Sequence, residues 1–258
     1  MRDQRQRPAR VLNVLAPVLA FVLLIGNAMP VYAATRYYYA GEQSASINAD
    51  GIDGYIRLST TNPLSSGQVH ADWIGVCSST ACGNTWAQTG EIQGWPSLSA
   101  TYVYTETTDA CGRHNILPWG TAPANQAYYV LYDGWSHSET CPADTPYAGQ
   151  YVWEYEYAFA KGSLTNVYYH GDMGASQGIF AARTEIQPDQ SVLLNQDFFG
   201  CSGVATCGNA SYGIHYHTAS GWSVWTGNGG EFPPDNPPAF KQYNANWSFE
   251  TCRVNGCI

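Results

Sequence analysis

Short runs of β-branched and aromatic residues recur along the chain, separated by clusters of Gly, Pro, Asn, Asp and Ser. Such runs predict β-strands, and the clusters between them, such as Asn62-Pro63 and Asp133-Gly134, predict turns. No segment carries a long apolar stripe at helical spacing. The pattern therefore predicts an all-β fold, a sandwich or a barrel. The predicted strands cover residues 36–40, 44–47, 54–59, 68–76, 99–105, 127–132, 150–159, 165–170, 178–186, 192–199, 212–217 and 246–251.

The N-terminal segment differs from the rest of the chain. A basic head with four arginines precedes an apolar run over residues 11–25, and Val31-Tyr32-Ala33-Ala34 fits a small-residue cleavage rule. As a membrane anchor the run is short against the roughly 20 residues that a bilayer needs, and Asn13 and Pro17 interrupt it. We therefore predict a signal peptide over 1–33, and a protein that is secreted, extracellular and bacterial, with no membrane association after cleavage.

The remainder contains no obvious linker, so 34–258 is predicted to be one β-sandwich domain with a long loop over 227–238. The chain has 11 basic and 20 acidic residues. Removal of residues 1–33, with four Arg and one Asp, leaves a net charge near −12. Polyanion binding needs clustered Lys and Arg, so nucleic acid is excluded as a partner. An acidic chain with few charged residues suits an acidic environment, where protonated carboxylates repel one another less.

All eight cysteines lie beyond residue 33, and an even number in an exported chain predicts disulfides. Three pairs are close in sequence and could each close a short loop: Cys77 with Cys82, Cys201 with Cys207, and Cys252 with Cys257. Cys111 and Cys141 are then left for each other. Without a C-x-x-C motif, zinc binding by cysteine is the weaker interpretation.

Two motifs are the most informative part of the chain. Trp73-Ile74-Gly75-Val76 is followed, after a cysteine-bearing turn, by Gln88-Thr89-Gly90 and later by Tyr104-Thr105-Glu106. This order resembles the eqolisin-type glutamic peptidases. A start at Gly41-Glu42-Gln43-Ser44-Ala45 and a later Arg183-Thr184-Glu185-Ile186 also resemble the neprosin group of glutamic peptidases and its bacterial relatives.

The resemblance implies an antiparallel β-sandwich of two curved sheets, lectin-like (concanavalin-type jelly roll) in outline, with a groove that binds polypeptide. It implies Gln88 and Glu185 as the catalytic pair and places Trp73 on the groove wall as a substrate-binding residue. Glu156 and Glu106 are the reserves for the acidic partner. It implies no metal and no cofactor, and we expect a monomer.

The chemistry of such a pair is consistent with general principles. A carboxylate can take a proton from water as the water attacks a peptide carbonyl, and then return that proton to the leaving nitrogen. The amide of Gln88 can donate a hydrogen bond to the developing oxyanion without carrying a charge. A Glu base acts near its own pKa, which predicts an acidic optimum.

Two other functions stay open. Nine Trp and nineteen Tyr residues would also suit a non-catalytic, lectin-like module that binds glycan. Glu154 and Glu156 share one strand face and could form a glycosidase carboxylate pair, although a simple polar face explains them too. His215 and His217 have a spacing that metals can use, but we expect a surface pair. A serine hydrolase is disfavoured because no Gly-x-Ser-x-Gly motif occurs.

Overall fold

The computed structural model describes residues 36–44, 47–57, 64, 67–78, 85–123, 126–187, 196–200, 213–226, 230–231, 239–245 and 248–253. The predicted signal peptide and the cysteines at positions 82, 201, 207 and 257 lie outside these residues. Within them every regular element is a β-strand, so the all-β fold class is confirmed. No helix among the described residues is long and apolar enough to cross a membrane.

The strands form two antiparallel sheets. They are β1 (Arg36–Ser44), β2 (Gly51–Arg57), β3 (Val69–Cys77), β4 (Trp86–Gln93), β5 (Thr101–Thr108), β6 (His114–Thr121), β7 (Gln126–Thr140), β8 (Tyr151–Lys161), β9 (Val167–Met173), β10 (Gly178–Gln187), β11 (Gln196–Phe199), β12 (Ile214–Thr218), β13 (Gly221–Val224), β14 (Gly230–Glu231), β15 (Ala239–Ala245) and β16 (Ser248–Arg253). The first sheet has the order β14-β1-β10-β3-β4-β5-β6. The second has the order β15-β16-β11-β2-β7-β8-β9, with β12 and β13 branching from β2.

The core lies between the sheets because alternate residues of each strand point to the same face. Ile74 and Val76 of β3 meet Tyr128 and Val130 of β7 and Phe159 of β8 in this core, and all five are fully buried. Such antiparallel pairs, apolar on one face, pack as a sandwich. The two-sheet sandwich is therefore confirmed.

Several elements differ from the sequence prediction. The Asp133-Gly134 pair is a bulge inside the long strand β7 rather than a turn, because β7 and β8 resume pairing beyond it at Ser136 and Tyr155. Gly134 has a φ of 93°, which glycine adopts at little cost. The predicted strands do not include β6. It contains Pro118 and is an edge strand, where the missing N–H is tolerated.

Cys111 and Cys141 form a disulfide, as predicted. Cys77 is also disulfide-bonded. The Cys111–Cys141 bond ties the turn between β5 and β6 to the end of β7. No described cysteine is free.

Candidate active site

The two motifs meet on the face of the first sheet that is turned away from the second sheet. Trp73 of β3, Tyr104 of β5 and Phe180 of β10 form a separate buried cluster there, whose described members all lie outside the second sheet. The rings of Trp73 and Phe180 pack edge to face with centroids 4.9 Å apart. Trp73 is 4% exposed, so it supports the floor of this face by packing.

Gln88 lies on the same face, between Gly75 of β3 and Glu106 of β5. Its Nε2 donates to Glu106 Oε2 at 2.8 Å and to the Tyr104 hydroxyl at 3.2 Å. Gly75 is required beside it, because a Cβ there would come within 2.5 Å of the Phe180 ring. Gln88 is 7% exposed. Its amide nitrogen therefore has protein partners, Glu106 and Tyr104, and little contact with water.

The Gln-Thr-Gly motif has a structural explanation at each position. Gln88 faces the site, and the next residue, Thr89, points into the core, where its hydroxyl donates to the Tyr104 carbonyl at 2.7 Å. Gly90 lies on the same face of the sheet as Gln88. A Cβ at this position would lie 1.9 Å from the Asp72 carbonyl oxygen. The motif therefore orients Gln88, anchors the strand and permits close strand packing.

Glu106 connects Gln88 to His114. Its Oε1 lies 2.7 Å from His114 Nε2, while its Oε2 accepts from Gln88. The hydrogen bond to Glu106 raises the pKa of His114, against the opposing effect of burial. The ring of His114 also lies against Trp86, with centroids 6.0 Å apart. An amide, a carboxylate and an imidazole are thus joined by hydrogen bonds across three neighbouring strands, β4, β5 and β6.

The register does not bring Glu185 to Gln88. Gln88 is level with Gly75 and Phe180, whereas Glu185 pairs with His70, five residues further along β10. Five residues of strand span about 16 Å. An odd number of steps also places position 185 on the face of Ala181, whereas Phe180 shares the face of Gln88. The described carboxylate beside Gln88 is Glu106, one of the two reserves.

Glu154 and Glu156, the possible glycosidase pair, have separate surroundings. Glu154 is fully buried and accepts from the Ala110 amide at 3.0 and 3.1 Å, with Arg113 Nη2 at 3.9 Å. Burial raises the pKa of Glu154 to about 7, although the Ala110 hydrogen bond opposes the shift. Glu156 instead contacts Asp133 and His170, and the hydrogen bond with Asp133 raises its pKa. Each carboxylate is thus held by a different group.

The two histidines of β12 contact carboxylates in β2 and in the segment just before it. His215 Nδ1 lies 2.6 Å from Asp53 Oδ1, and His217 Nδ1 lies 2.6 Å from Asp50 Oδ1. The sequence offered no acid at a local ligand spacing, because these acids come from about 160 residues earlier in the chain. Each histidine therefore contacts a carboxylate from the β2 region.

His114 and Tyr104 are the site residues that sequence reasoning did not single out as contributors. Tyr104 stood in the motif Tyr104-Thr105-Glu106, but only as part of an aromatic pattern. His114 follows the turn after β5, and its contact with Glu106 depends on a hairpin register in which Glu106 pairs with Ile116 and Thr108 with His114. A sequence signal for this hairpin exists in the Asp109-Ala110-Cys111-Gly112 turn.

Comparison with solved structures shows a shared fold. Scytalido-glutamic peptidase with a transition-state analogue inhibitor superposes with a TM-score of 0.51 at 10% identity, covering 86% of this chain and all of that one. SCP-B, an eqolisin-family peptidase in complex with the tripeptide Ala-Ile-His, gives 0.49 at 8% identity over the same shares. A glycoside hydrolase family 16 endo-glucanase from Bacteroides ovatus gives 0.29 at 9% identity, covering 62% and 70%. No protein-family model and no curated protein matches the sequence.

Proposed function

We propose that the chain is a secreted, acid-acting glutamic endopeptidase in which Gln88 and Glu106 form the catalytic pair. The observation that carries the proposal is the 2.8 Å hydrogen bond from Gln88 Nε2 to Glu106 Oε2, on the outer face of a sheet with the glutamic peptidase fold. Glu106 takes the role that the sequence motifs suggested for Glu185. The substrate class is polypeptide, and neither metal nor cofactor takes part in the steps.

Glu106 acts first as a base. Its carboxylate accepts a proton from a water molecule while the water oxygen forms a bond to the peptide carbonyl carbon. The carbonyl oxygen becomes an oxyanion. The protonated Glu106 then returns the proton to the leaving nitrogen as the C–N bond breaks. An ionised carboxylate has about four lone-pair sites, so Glu106 can hold both Gln88 and His114 and still contact the water.

Gln88 stabilises the oxyanion. Its amide has two hydrogens, one directed at Glu106 and one at the Tyr104 hydroxyl. The contact with Tyr104, at 3.2 Å, is the longer of the two and is the one that an oxyanion would replace. The Tyr104 hydroxyl can itself rotate to donate. A neutral donor held in place before the reaction needs little reorganisation as charge develops.

His114 positions Glu106. The imidazole binds Oε1 and leaves Oε2 directed at Gln88. Because the pKa of His114 is raised, this contact is strongest in acid, where the imidazole is protonated. An acid-range enzyme would therefore work with its base held in a fixed orientation.

The test of this proposal is proteolysis by the exported protein. The chain is expressed with its first 33 residues, recovered from the medium, and its N-terminus is sequenced to test cleavage after Ala33. A denatured protein substrate is then incubated with it from about pH 3 to 7, with a chelator and a serine-protease inhibitor. We expect cleavage in the acid range that neither reagent prevents. Absence of cleavage from a correctly folded protein contradicts the proposal.

A second candidate, glycan binding, is favoured by a cavity at one end of the sandwich. The cavity has a volume of about 440 Å³, and its walls include Tyr132, Tyr155 and Tyr157 together with Asp50 and Asn48. Along β8 the same strand face continues to Trp153 and Tyr151, which are 54% and 68% exposed. Aromatic rings with a few polar groups are the usual components of a sugar site.

Binding to immobilised polysaccharides, with Trp153→Ala and Tyr155→Ala as variants, tests this second candidate. Retained glycan binding without proteolysis at any pH would favour the binding module over the peptidase. Proteolysis that is lost on changing Gln88 or Glu106, with no glycan retention, would favour the peptidase.

A further inference from the structure

A cluster of potential metal ligands lies on the opposite side of the sandwich from Gln88. It consists of Asp133 of β7, Glu156 of β8 and His170 of β9, and we call it the outer cluster. The three strands are neighbours in the second sheet, and the three side chains point away from the shared core. Their ligand atoms all lie within 4.8 Å of one another. The peptidase proposal does not use any of these residues.

The spacing of these atoms matches a tetrahedral zinc site. His170 Nδ1 lies 3.1 Å from Asp133 Oδ2 and 3.3 Å from Glu156 Oε1. Zinc bonds of about 2.0–2.1 Å place neighbouring ligand atoms of a tetrahedron about 3.3 Å apart. Ligand atoms of Asp133 and Glu156 lie within 4.8 Å of each other. His170 Nδ1 is therefore at tetrahedral spacing from one oxygen of each carboxylate.

The bulge in β7 is what brings Asp133 to this position. Regular pairing between β7 and β8 stops at Tyr132 and resumes at Ser136, so Asp133 leaves the ladder at the point where it approaches Glu156. Its side chain also accepts from the Trp135 amide at 2.9 Å, through the other oxygen, Oδ1. That hydrogen bond orients the carboxylate and leaves Oδ2 for the cluster. Bulges often redirect a side chain in this way.

The charge around the cluster favours a cation. Asp172 lies directly across from Glu156 in the pairing of β8 and β9. Its Oδ1 is buried and has no hydrogen-bond partner among the described residues. Asp172 adds negative charge beside Glu156, and it also interacts with His137 and Arg113. One nitrogen and two carboxylate oxygens form a mixed donor set, which suits zinc better than magnesium or calcium.

We propose that the outer cluster binds one Zn²⁺ through Asp133 Oδ2, Glu156 Oε1 and His170 Nδ1, which links strands β7, β8 and β9. The competing explanation is that the three side chains only contact one another, without a metal. The two explanations differ in their response to zinc, because only a metal site binds the ion with saturation and weakens when any one ligand is removed.

Isothermal titration calorimetry of the whole exported protein with Zn²⁺ alone tests the proposal. We expect saturable binding of one ion per chain at about pH 7.5. His170→Ala, Asp133→Asn and Glu156→Gln should each weaken binding by at least about 100-fold, which is more than the usual 10- to 100-fold for a residue that only supports a ligand. X-ray absorption at the zinc edge should show only nitrogen and oxygen ligands.

His215→Ala is the matched control, because His215 also contacts a carboxylate but lies on β12, outside the outer cluster. It should bind zinc like the wild type. Each variant is first checked for an unchanged circular dichroism spectrum, and the melting temperature of the wild type, but not of His170→Ala, should rise with zinc. Absence of saturable binding, or equal binding by the wild type and His170→Ala, would overturn the proposal.

Discussion

The side-chain amide of Gln88 donates a hydrogen bond to the carboxylate of Glu106 across neighbouring strands, at a distance of 2.8 Å. The two residues pair directly in the register of β4 and β5. Directly paired side chains of an antiparallel sheet have Cβ atoms about 4.5–5.5 Å apart, which suits a Gln–Glu contact. A substitution at either residue will therefore change the surroundings of the other.

Removal of Gln88 should slow catalysis without unfolding the protein. For Gln88→Ala we expect kcat to fall about 10²- to 10³-fold, because one oxyanion donor is lost. Peptide cleavage kinetics at the acid optimum provide the measurement. Gln93→Ala is the matched control, since Gln93 lies on the same strand with its side chain on the other face. Equal losses for the two variants would contradict the assigned role of Gln88.

The identity of the base is tested by comparing two glutamates. Glu106→Gln removes the proton acceptor but keeps the shape, and we expect kcat/KM to fall by at least about 10²-fold. Glu185→Gln should retain activity, because its strand position is about 16 Å of strand length away from that of Gln88. The same cleavage assay compares both. The reverse result would reassign the role to Glu185.

The contact of His114 with Glu106 should depend on pH. The pKa of His114 is raised above its ordinary value of 6.5 in the folded state. Its contribution to stability is therefore fully present below pH 6.5 and is lost as the pH rises through the raised pKa. Urea unfolding of the wild type and His114→Ala should differ most in acid and converge in alkali. A difference that is independent of pH would exclude a protonated His114.

Ionisation of the buried Glu154 should lower the free energy of unfolding as the pH rises towards neutral. Its pKa of about 7 lies above the value of 4.5 expected without the protein environment. A raised carboxyl pKa means that the folded state binds the proton more tightly, so stability is greatest below pH 4.5 and declines up to about pH 7. The shift corresponds to a decline on the order of 3 kcal/mol. Urea titrations at several pH values measure it.

Glu154→Gln should flatten this decline, because the substituted amide does not titrate. Asp144→Asn, which changes an exposed acid in the loop after Cys141, serves as the control and should keep the slope of the wild type. A slope that survives in Glu154→Gln would assign the pH dependence to other groups.

The Cys111–Cys141 disulfide should contribute substantially to stability. It closes a loop with a sequence separation of 30 residues. Restriction of the unfolded chain by a loop of that length is worth about 3–4 kcal/mol. Replacing both cysteines with serine should lower the free energy of unfolding by about that amount in urea. An unchanged midpoint would show that the loop is held mainly by other contacts, such as those of Arg113 with Asp109 and Glu139.

The fold class, the strand with Trp73-Ile74-Gly75 and the Cys111–Cys141 bond were predictable from the amino-acid sequence. The strands follow from the local alternation of apolar and polar residues and from the turn-forming residues between them. The disulfide follows from the number and spacing of the cysteines. The acid that lies beside Gln88 could be identified only from the pairing of the strands. A shift of one residue in register moves a side chain to the other face of a sheet, and no local pattern records the register between distant strands.

The same reason explains the partners that sequence reasoning missed. His114 reaches Glu106 through one hairpin register, and Asp133 reaches Glu156 and His170 through a bulge that looked like a turn in the sequence. Asp53 meets His215 across 162 positions of chain. The residue types were visible in the sequence, and their convergence depends on how the strands pair in three dimensions.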